Sequence, residues 1–392
     1  ARPAGAGNDR QVGHQHERAA AGWHGEDYRV ADAAIAPHPE SAYAAGAMPR
    51  HRFTRLLLAS ALLLAPTLTA LGCGGAGSGG VGSAQPSHVS AAQPLALDSL
   101  VAPEASAMVR VDARAFFASP LVVHVEERLA SWFAETEHRA DFEFARDLAH
   151  RTDELVVAVS RDPEHAGEEM LLLVRGRFSP ADLGVLGEDL EASEHAGHAL
   201  RVEDSWGLAQ VADDILAVGP TQLLHDACDR FDGRLPLSPA SHPALVEALA
   251  RAEYGQHTIT FGVVAPGGSG AASQDPMSAV ETFDGYCDVV DGLRCEFGAL
   301  VSEPAAVPPL RDYLQGGIDE MLALPAPADV PESVRTALSS VTFRTEPTRV
   351  VAVVDFPETL ARDALDAFVM GLASAVLSGI VGVSAPAPSP QP

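Results

Sequence analysis

The chain is 392 residues long and strongly acidic, with 53 aspartates and glutamates against 26 lysines and arginines and a formal net charge of −27 at pH 7. A nucleic-acid-binding protein needs a basic surface to neutralise phosphate, so this balance excludes nucleic acid as an expected partner. The sequence contains no lysine, which excludes a Walker-type phosphate loop and a pyridoxal phosphate Schiff base.

An export signal is predicted over residues 48–72. Arginines at positions 50, 52 and 55 precede an uncharged, leucine-rich run over residues 56–68, and small residues follow it. A basic start, a short apolar run and small residues at the end are typical of a secretory signal. The apolar run is short for a membrane-spanning helix, which needs roughly 20 residues. Residues 1–47 have no clear periodicity, and we interpret them as a disordered or non-native extension.

Gly72 and Cys73 end this signal in a way that resembles the lipobox of bacterial lipoproteins, where a cysteine follows a small residue and becomes the lipidated N-terminus. The resemblance covers residues 48–73. It departs from the family pattern at Leu71, which lies one place later than the usual leucine. The alternatives are an ordinary cleaved signal with a chance cysteine and an uncleaved anchor.

The resemblance implies that Cys73 carries lipid and holds the protein at a membrane of the bacterial cell envelope. In such lipoproteins an aspartate after the cysteine tends to retain the protein on the inner membrane. Gly74 occupies that position here, which favours the outer membrane, facing the periplasm.

Residues 73–94, rich in glycine, serine and proline, predict a flexible leash. Two α+β lobes are expected behind it, over residues 95–235 and 236–383, with a disordered tail over residues 384–392. Hairpins dominate over regular βαβ alternation, which favours mainly antiparallel sheets covered by helices. A strand–Phe–Pro–helix order occurs twice, at residues 171–183 and 350–360, so two related halves are an alternative to independent lobes.

The body is predicted as short alternating strands and capped helices. Strands are expected at residues 108–112, 155–159, 170–174, 205–211, 215–218, 258–264, 341–345 and 349–355, with a cysteine-containing hairpin over 284–301. Helices are expected after Ser119 and Ser179, each followed by proline, and over residues 221–229, 238–251, 309–324 and 357–383.

Cys287 and Cys295 flank a short segment that can turn back on itself at Gly292. In an oxidising envelope compartment the two thiols can pair, and we treat them as a candidate disulfide. Cys228 would then be a free, buried thiol. Because the chain has no C-x-x-C motif, a zinc ribbon or a thioredoxin-like site has no support.

His195 and His198 are weak metal candidates, because histidines three residues apart can share a metal ion. No third ligand lies at a recognisable spacing, and residues 194–198 are predicted to form a loop between a helix and a strand. We therefore expect no metal and no cofactor. Asp226, Asp229 and Asp232 are interpreted as the polar side of the short helix and its end.

From residue 367 to residue 392 the sequence has no charged residue, and residues 368–383 are apolar nearly all round. Such a helix is buried or lies in a membrane. One interpretation is a core helix laid against the sheets. The other is a helix that docks on a partner, a lipid or the bilayer.

No G-x-S-x-G or H-E-x-x-H motif follows Cys73. The predicted function is that of a lipid-anchored, non-catalytic binding or scaffolding protein, with an unknown envelope protein or an apolar ligand as its partner. The alternatives are a carrier that holds an apolar ligand between a sheet and the last helix, and an envelope hydrolase whose site is assembled from distant residues.

Overall fold

The computed structural model describes residues 95–136, 138–161, 168–237, 242–265, 275–290, 292–323 and 332–363. The extension, the export signal, Cys73, the leash, the apolar run 367–383 and the tail 384–392 lie outside these residues. What was predicted for them therefore stays a prediction.

Twelve strands form one antiparallel sheet in the described part of the chain. They are β1 (Ala105–Val111), β2 (Thr152–Arg161), β3 (Glu168–Gly176), β4 (Glu191–His195), β5 (His198–Glu203), β6 (Trp206–Ala212), β7 (Ile215–Pro220), β8 (Ile259–Val264), β9 (Val280–Asp288), β10 (Gly292–Val301), β11 (Thr342–Glu346) and β12 (Arg349–Pro357). Their spatial order is β11-β12-β10-β9-β8-β1-β2-β3-β7-β6-β5-β4.

The predicted α+β class with mainly antiparallel pairing is confirmed. Strand β1, from the first predicted lobe, pairs with β8 from the second, so strands of both lobes share this sheet. The division into two lobes and their relatedness stay predictions. The strand–Phe–Pro–helix order is present twice, because a helix follows β3 and another begins at residue 358 after β12.

Besides the helix that begins at residue 358, eight helices accompany the sheet within the described ranges: α1 (Ala113–Ala118), α2 (Pro120–Phe133), α3 (Arg139–Arg151), α4 (Pro180–Leu186), α5 (Thr221–Phe231), α6 (Pro243–Arg251), α7 (Val307–Ala323) and α8 (Glu332–Ser339). A 3-10 turn at Leu97–Leu100 precedes β1. None of these helices is both long enough and apolar enough to cross a membrane.

The predicted serine caps are present at both Ser-Pro helix starts. The Ser119 hydroxyl accepts a hydrogen bond from the backbone N–H of Val122, and Ser179 forms a capping box with Asp182 at the start of α4. Arg151, the last residue of α3, donates to both carboxylate oxygens of Asp182 at 2.9 Å. This guanidinium, aided by Ser179, lowers the pKa of Asp182 to about 2, so the bond ties α3 to α4 throughout the neutral pH range.

The sheet buries apolar side chains on both faces. The 3-10 turn at Leu97–Leu100 and helices α5 and α6 pack on one face. Helices α1, α2 and α3 pack on the other face, and α4 covers its β3–β7–β6 part. Successive side chains of a strand point to opposite faces, so one strand contributes apolar residues to both cores.

The two faces differ in the half of the sheet that is formed by β8, β9, β10, β12 and β11. On one, named here the apolar face, the cross-strand row at mid-strand is Phe261, Gly285, Phe297, Ala352 and Phe343. On the other, named the polar face, the neighbouring row is Thr260, Tyr286, Glu296, Val353 and Thr342. Gly285 allows the rings of Phe261 and Phe297 to approach each other across β9, since a Cβ there would overlap the Phe261 ring.

Candidate binding face

The structure joins Cys287 and Cys295 in a disulfide bond. The two residues are direct cross-strand partners on β9 and β10, with Cα atoms 4.1 Å apart, and both side chains are buried on the apolar face. Cys228 is free and buried in α5. Burial raises the pKa of the Cys228 thiol to about 12, so the thiolate that would react as a nucleophile is not formed at neutral pH.

His195 and His198 lie at the two ends of a tight β4–β5 hairpin, and the prediction of a loop at residues 194–198 is wrong. Nε2 of His195 is 3.0 Å from a carboxylate oxygen of Asp229, and Nε2 of His198 is 3.1 Å from one of Asp232. The two histidines therefore hold the hairpin against the C-terminal end of α5. Each has its own carboxylate partner.

The aromatic ring of His225 on α5 stacks on the ring of His195, with centroids 4.0 Å apart. Burial and the neighbouring His195 lower the pKa of His225, which favours its neutral form. Over the described ranges, no group of three histidine, cysteine, aspartate or glutamate side chains is arranged to hold a metal ion. The arrangement joins two elements, and it gives the weak metal hypothesis no further ligand.

The polar face of β9, β10, β12 and β11 is the candidate site. Helix α6 packs on β8 and β9, whereas α7 reaches β11 and β12 from the apolar face through Val307 and Leu310. Among the helices that the structure describes, none packs on the polar face of β10, β12 and β11. On this part of the sheet the side chains of Arg294 and Arg344 project outward, whereas Val351 and Glu296 are buried.

A buried carboxylate anchors one end of this face. Asp284 of β9 is 0% exposed and lies between two arginines from different elements. Nε of Arg251 on α6 donates to it at 2.9 Å, and Arg349 of β12 donates to its second oxygen. Burial raises the pKa of Asp284, and the two guanidiniums oppose that rise. The carboxylate therefore ties α6, β9 and β12 together.

Arg349 reaches Asp284 by crossing β10 directly over Gly298. A Cβ atom at Gly298 would overlap the Arg349 guanidinium, so only glycine leaves this path open. Gly298 is the cross-strand partner of Asp284 on one side and of Val351 on the other. Glycine is thus required at position 298 because the Arg349 side chain passes over the backbone there. The backbone dihedral angles of Gly298 do not themselves require glycine.

A second carboxylate, Glu296 of β10, lies in the middle of the polar face. It is buried and accepts a hydrogen bond of 2.6 Å from Nη2 of Arg344 on β11. Arg294 lies on its other side, with Nη2 at 3.9 Å. Burial raises the pKa of Tyr286, and its hydrogen bond to Glu296 raises it further. The side chains of Arg344 and Arg294 are 51% and 60% exposed, so two guanidiniums project outward beside a buried carboxylate.

His257 and Asp288 form an aspartate–histidine pair beside Tyr286 on the polar face. The imidazole of His257 stacks on the Tyr286 ring at 3.6 Å between centroids, and its Nδ1 is 2.8 Å from Asp288. Such a pair orients the base of serine and cysteine hydrolases. Here Nε2 of His257 makes no hydrogen bond and lies 3.6 Å from Glu253, so no described hydroxyl or thiol is placed for activation. The pair gives the hydrolase alternative no support.

Fold and site together define an α+β protein with an open antiparallel sheet, on one face of which two exposed arginines lie beside a buried carboxylate. No protein-family model matches the chain, and no curated protein matches it.

Solved structures of crystal forms I and III of TP0453 are similar to the chain with TM-scores of 0.42 each and 10% and 9% sequence identity. They cover 70% and 71% of this chain and 98% and 99% of their own. A similarity at this level carries no argument about function.

Proposed function

We propose that the chain is a lipid-anchored protein of the bacterial cell envelope. It is held through Cys73 at the outer membrane, facing the periplasm, and it binds an envelope protein without catalysis. The export signal and the lipobox-like end at Gly72 and Cys73 support the anchor. The Cys287–Cys295 disulfide supports an oxidising compartment, because disulfides rarely persist in the cytosol.

The observation that carries the binding role is the pair of exposed arginines on the polar face, Arg294 and Arg344, beside the buried carboxylate of Glu296. A guanidinium held in place by an ion pair loses little conformational entropy when a partner binds. Arginine also binds carboxylates through two parallel hydrogen bonds. The expected partner is therefore a protein surface that places acidic side chains opposite these two arginines.

Binding through the face is favoured over the addition of a strand to an edge. The edge strands are β4 and β11, each five residues long. Glu191 and Glu194 on β4, and Arg344 and Glu346 on β11, place charge along both edges. Short, charged edge strands discourage pairing with another chain.

The proposal predicts an arginine-dependent contact at Thr342, which is exposed on the polar face beside Val353. A photo-crosslinking residue at position 342 of the full chain, expressed in cells, should give one discrete adduct with an envelope protein. The double substitution Arg294→Glu and Arg344→Glu should reduce that adduct at least tenfold, because it reverses both charges that face the partner. Mass spectrometry of the adduct distinguishes a protein from a lipid.

Arg114→Glu is the matched control, since Arg114 is 75% exposed on α1 and lies away from the polar face. It should leave the adduct unchanged. An adduct that persists after the double charge reversal, or one that forms equally well from position 185 on α4, contradicts the proposed binding face. A lipid adduct at position 342 contradicts the choice of a protein partner.

A further inference from the structure

The apolar face has a stretch that the described helices leave half-covered. Where α1, α2 and α3 pack, the apolar side chains of β1, β2 and β8 are buried. Farther along the same face, around the buried Cys295, five apolar side chains of β10 and β12 are only half-buried. These side chains are Leu293, Phe297, Ala352, Val354 and Phe356. Helix α7 packs at another end of these strands, against Ala299 and Val350. The half-covered stretch thus lies between two groups of helices.

The chain itself turns onto this stretch after β12. Residues 358–363 are helical, and Ala361 is 2% exposed within the same core cluster as Phe261 and Cys295. Glu358 and Arg362 form an ion pair with each other one turn apart and remain partly exposed. The first turns of this helix therefore place alanine toward the sheet and charge away from it.

The sequence that follows continues this pattern. On a helix of 3.6 residues per turn that starts at residue 358, positions 365, 368, 372, 375 and 379 fall on the same side as Ala361. They are Leu, Phe, Leu, Ala and Gly. Asp363 and Asp366 fall on the opposite side, and charge ends at position 366. Seventeen helical residues span roughly 25 Å, which is most of the roughly 31 Å length of a nine-residue strand.

We propose that residues 367–383 are the cover of the apolar face at β10 and β12, between α1–α3 and α7. The segment is apolar nearly all round, which suits a position with the sheet on one side and helices on the others. Three residues separate its start from helical Asp363, so it begins at the face it covers. An apolar stretch of this kind left open would be a site of aggregation.

The test uses a photo-crosslinking residue in place of Phe368 in the full, membrane-anchored protein. The expected result is a crosslink within one molecule, from position 368 to peptides that contain residues 293–297 or 352–356. The same residue at position 374, on the opposite side of the helix, should give at least fivefold less of this product. Crosslinks mainly to lipid or to a second protein, or no intramolecular product at all, overturn the proposal.

A second measurement does not depend on crosslinking efficiency. Phe368→Glu combined with Leu372→Glu should raise the fluorescence of a dye that binds exposed apolar surface several-fold, because the buried charges displace the cover. Ser374→Glu combined with Ser378→Glu adds the same two charges on other sides of the helix and should raise it less. Equal responses from both pairs overturn the proposed orientation toward β10 and β12.

Discussion

Replacing Asp284 by alanine is expected to lower the free energy of unfolding by about 3 kcal/mol. The substitution leaves the guanidiniums of Arg251 and Arg349 facing each other without the buried carboxylate that they share. Removing one partner of a buried ion pair costs about 3–5 kcal/mol because the remaining charge is uncompensated, and the lower figure applies here since Arg251 is partly exposed. Urea unfolding of the purified protein, followed by circular dichroism, measures the decrease in the free energy of unfolding.

Asp355→Ala is the matched control, because Asp355 lies on the same face but is exposed, and it should change the stability by less than about 0.5 kcal/mol. Asp284→Ala should also cost less in an Arg349→Met background, where one of the two cations is already absent. A loss below about 1 kcal/mol for Asp284→Ala alone would show that the carboxylate does not hold α6, β9 and β12 together.

Removing the Cys287–Cys295 disulfide by a double substitution to alanine is expected to cost about 2–3 kcal/mol. The bond closes a loop with a sequence separation of 8 residues, and restricting the unfolded chain in this way contributes about that amount on the chain-entropy model. Urea unfolding of the wild type should show a similar loss when a strong reductant is present. The double variant should show no further loss with reductant.

Cys228→Ala serves as the control for the thiol chemistry. Its stability should respond to reductant as the wild type does, because Cys228 is free and takes no part in the bond. If the wild type unfolds at the same urea concentration with and without reductant, the disulfide contributes no stability.

Local patterns in the sequence were sufficient to predict most of the sheet. Alternation of apolar and polar residues predicts β1, apolar runs predict β2 and β3, and the Ser-Pro pairs at 119 and 179 predict the starts of α2 and α4. The strands β4 and β5 could not be found in this way. Every residue of β4 except His195 is exposed, so its sequence lacks the apolar positions by which a strand is recognised. The short helices α1 and α8 were missed for a similar reason, because six to eight residues give too little periodicity.

The polar face could not be predicted because its residues are distant in sequence. Arg251, Asp284 and Arg349 come from a helix and two strands, and only the antiparallel register of β9, β10 and β12 brings them together. One local signal was present. Asp284 and Glu296 stand in the middle of their strands between apolar residues or glycine, and a charge that is buried at such a position requires a partner of opposite sign.

The two histidines illustrate the same limit. His195 and His198 were noticed for their spacing, and Asp229 and Asp232 were noticed as the polar side of a helix. The structure pairs each histidine with one of these aspartates, which the spacing alone could not show. The histidines and the aspartates thus belong to one contact, in which the β4–β5 hairpin supplies the imidazoles and α5 and its C-terminal end supply the carboxylates.

Mass spectrometry of the mature N-terminus after membrane fractionation tests the central claim, the lipid anchor at Cys73, most directly. We expect the protein in the membrane fraction, with a first peptide that begins at Cys73 and carries the mass of attached lipid. Cys73→Ser should release the protein from the membrane fraction or block its processing. A soluble product that begins at any other residue would contradict the anchor.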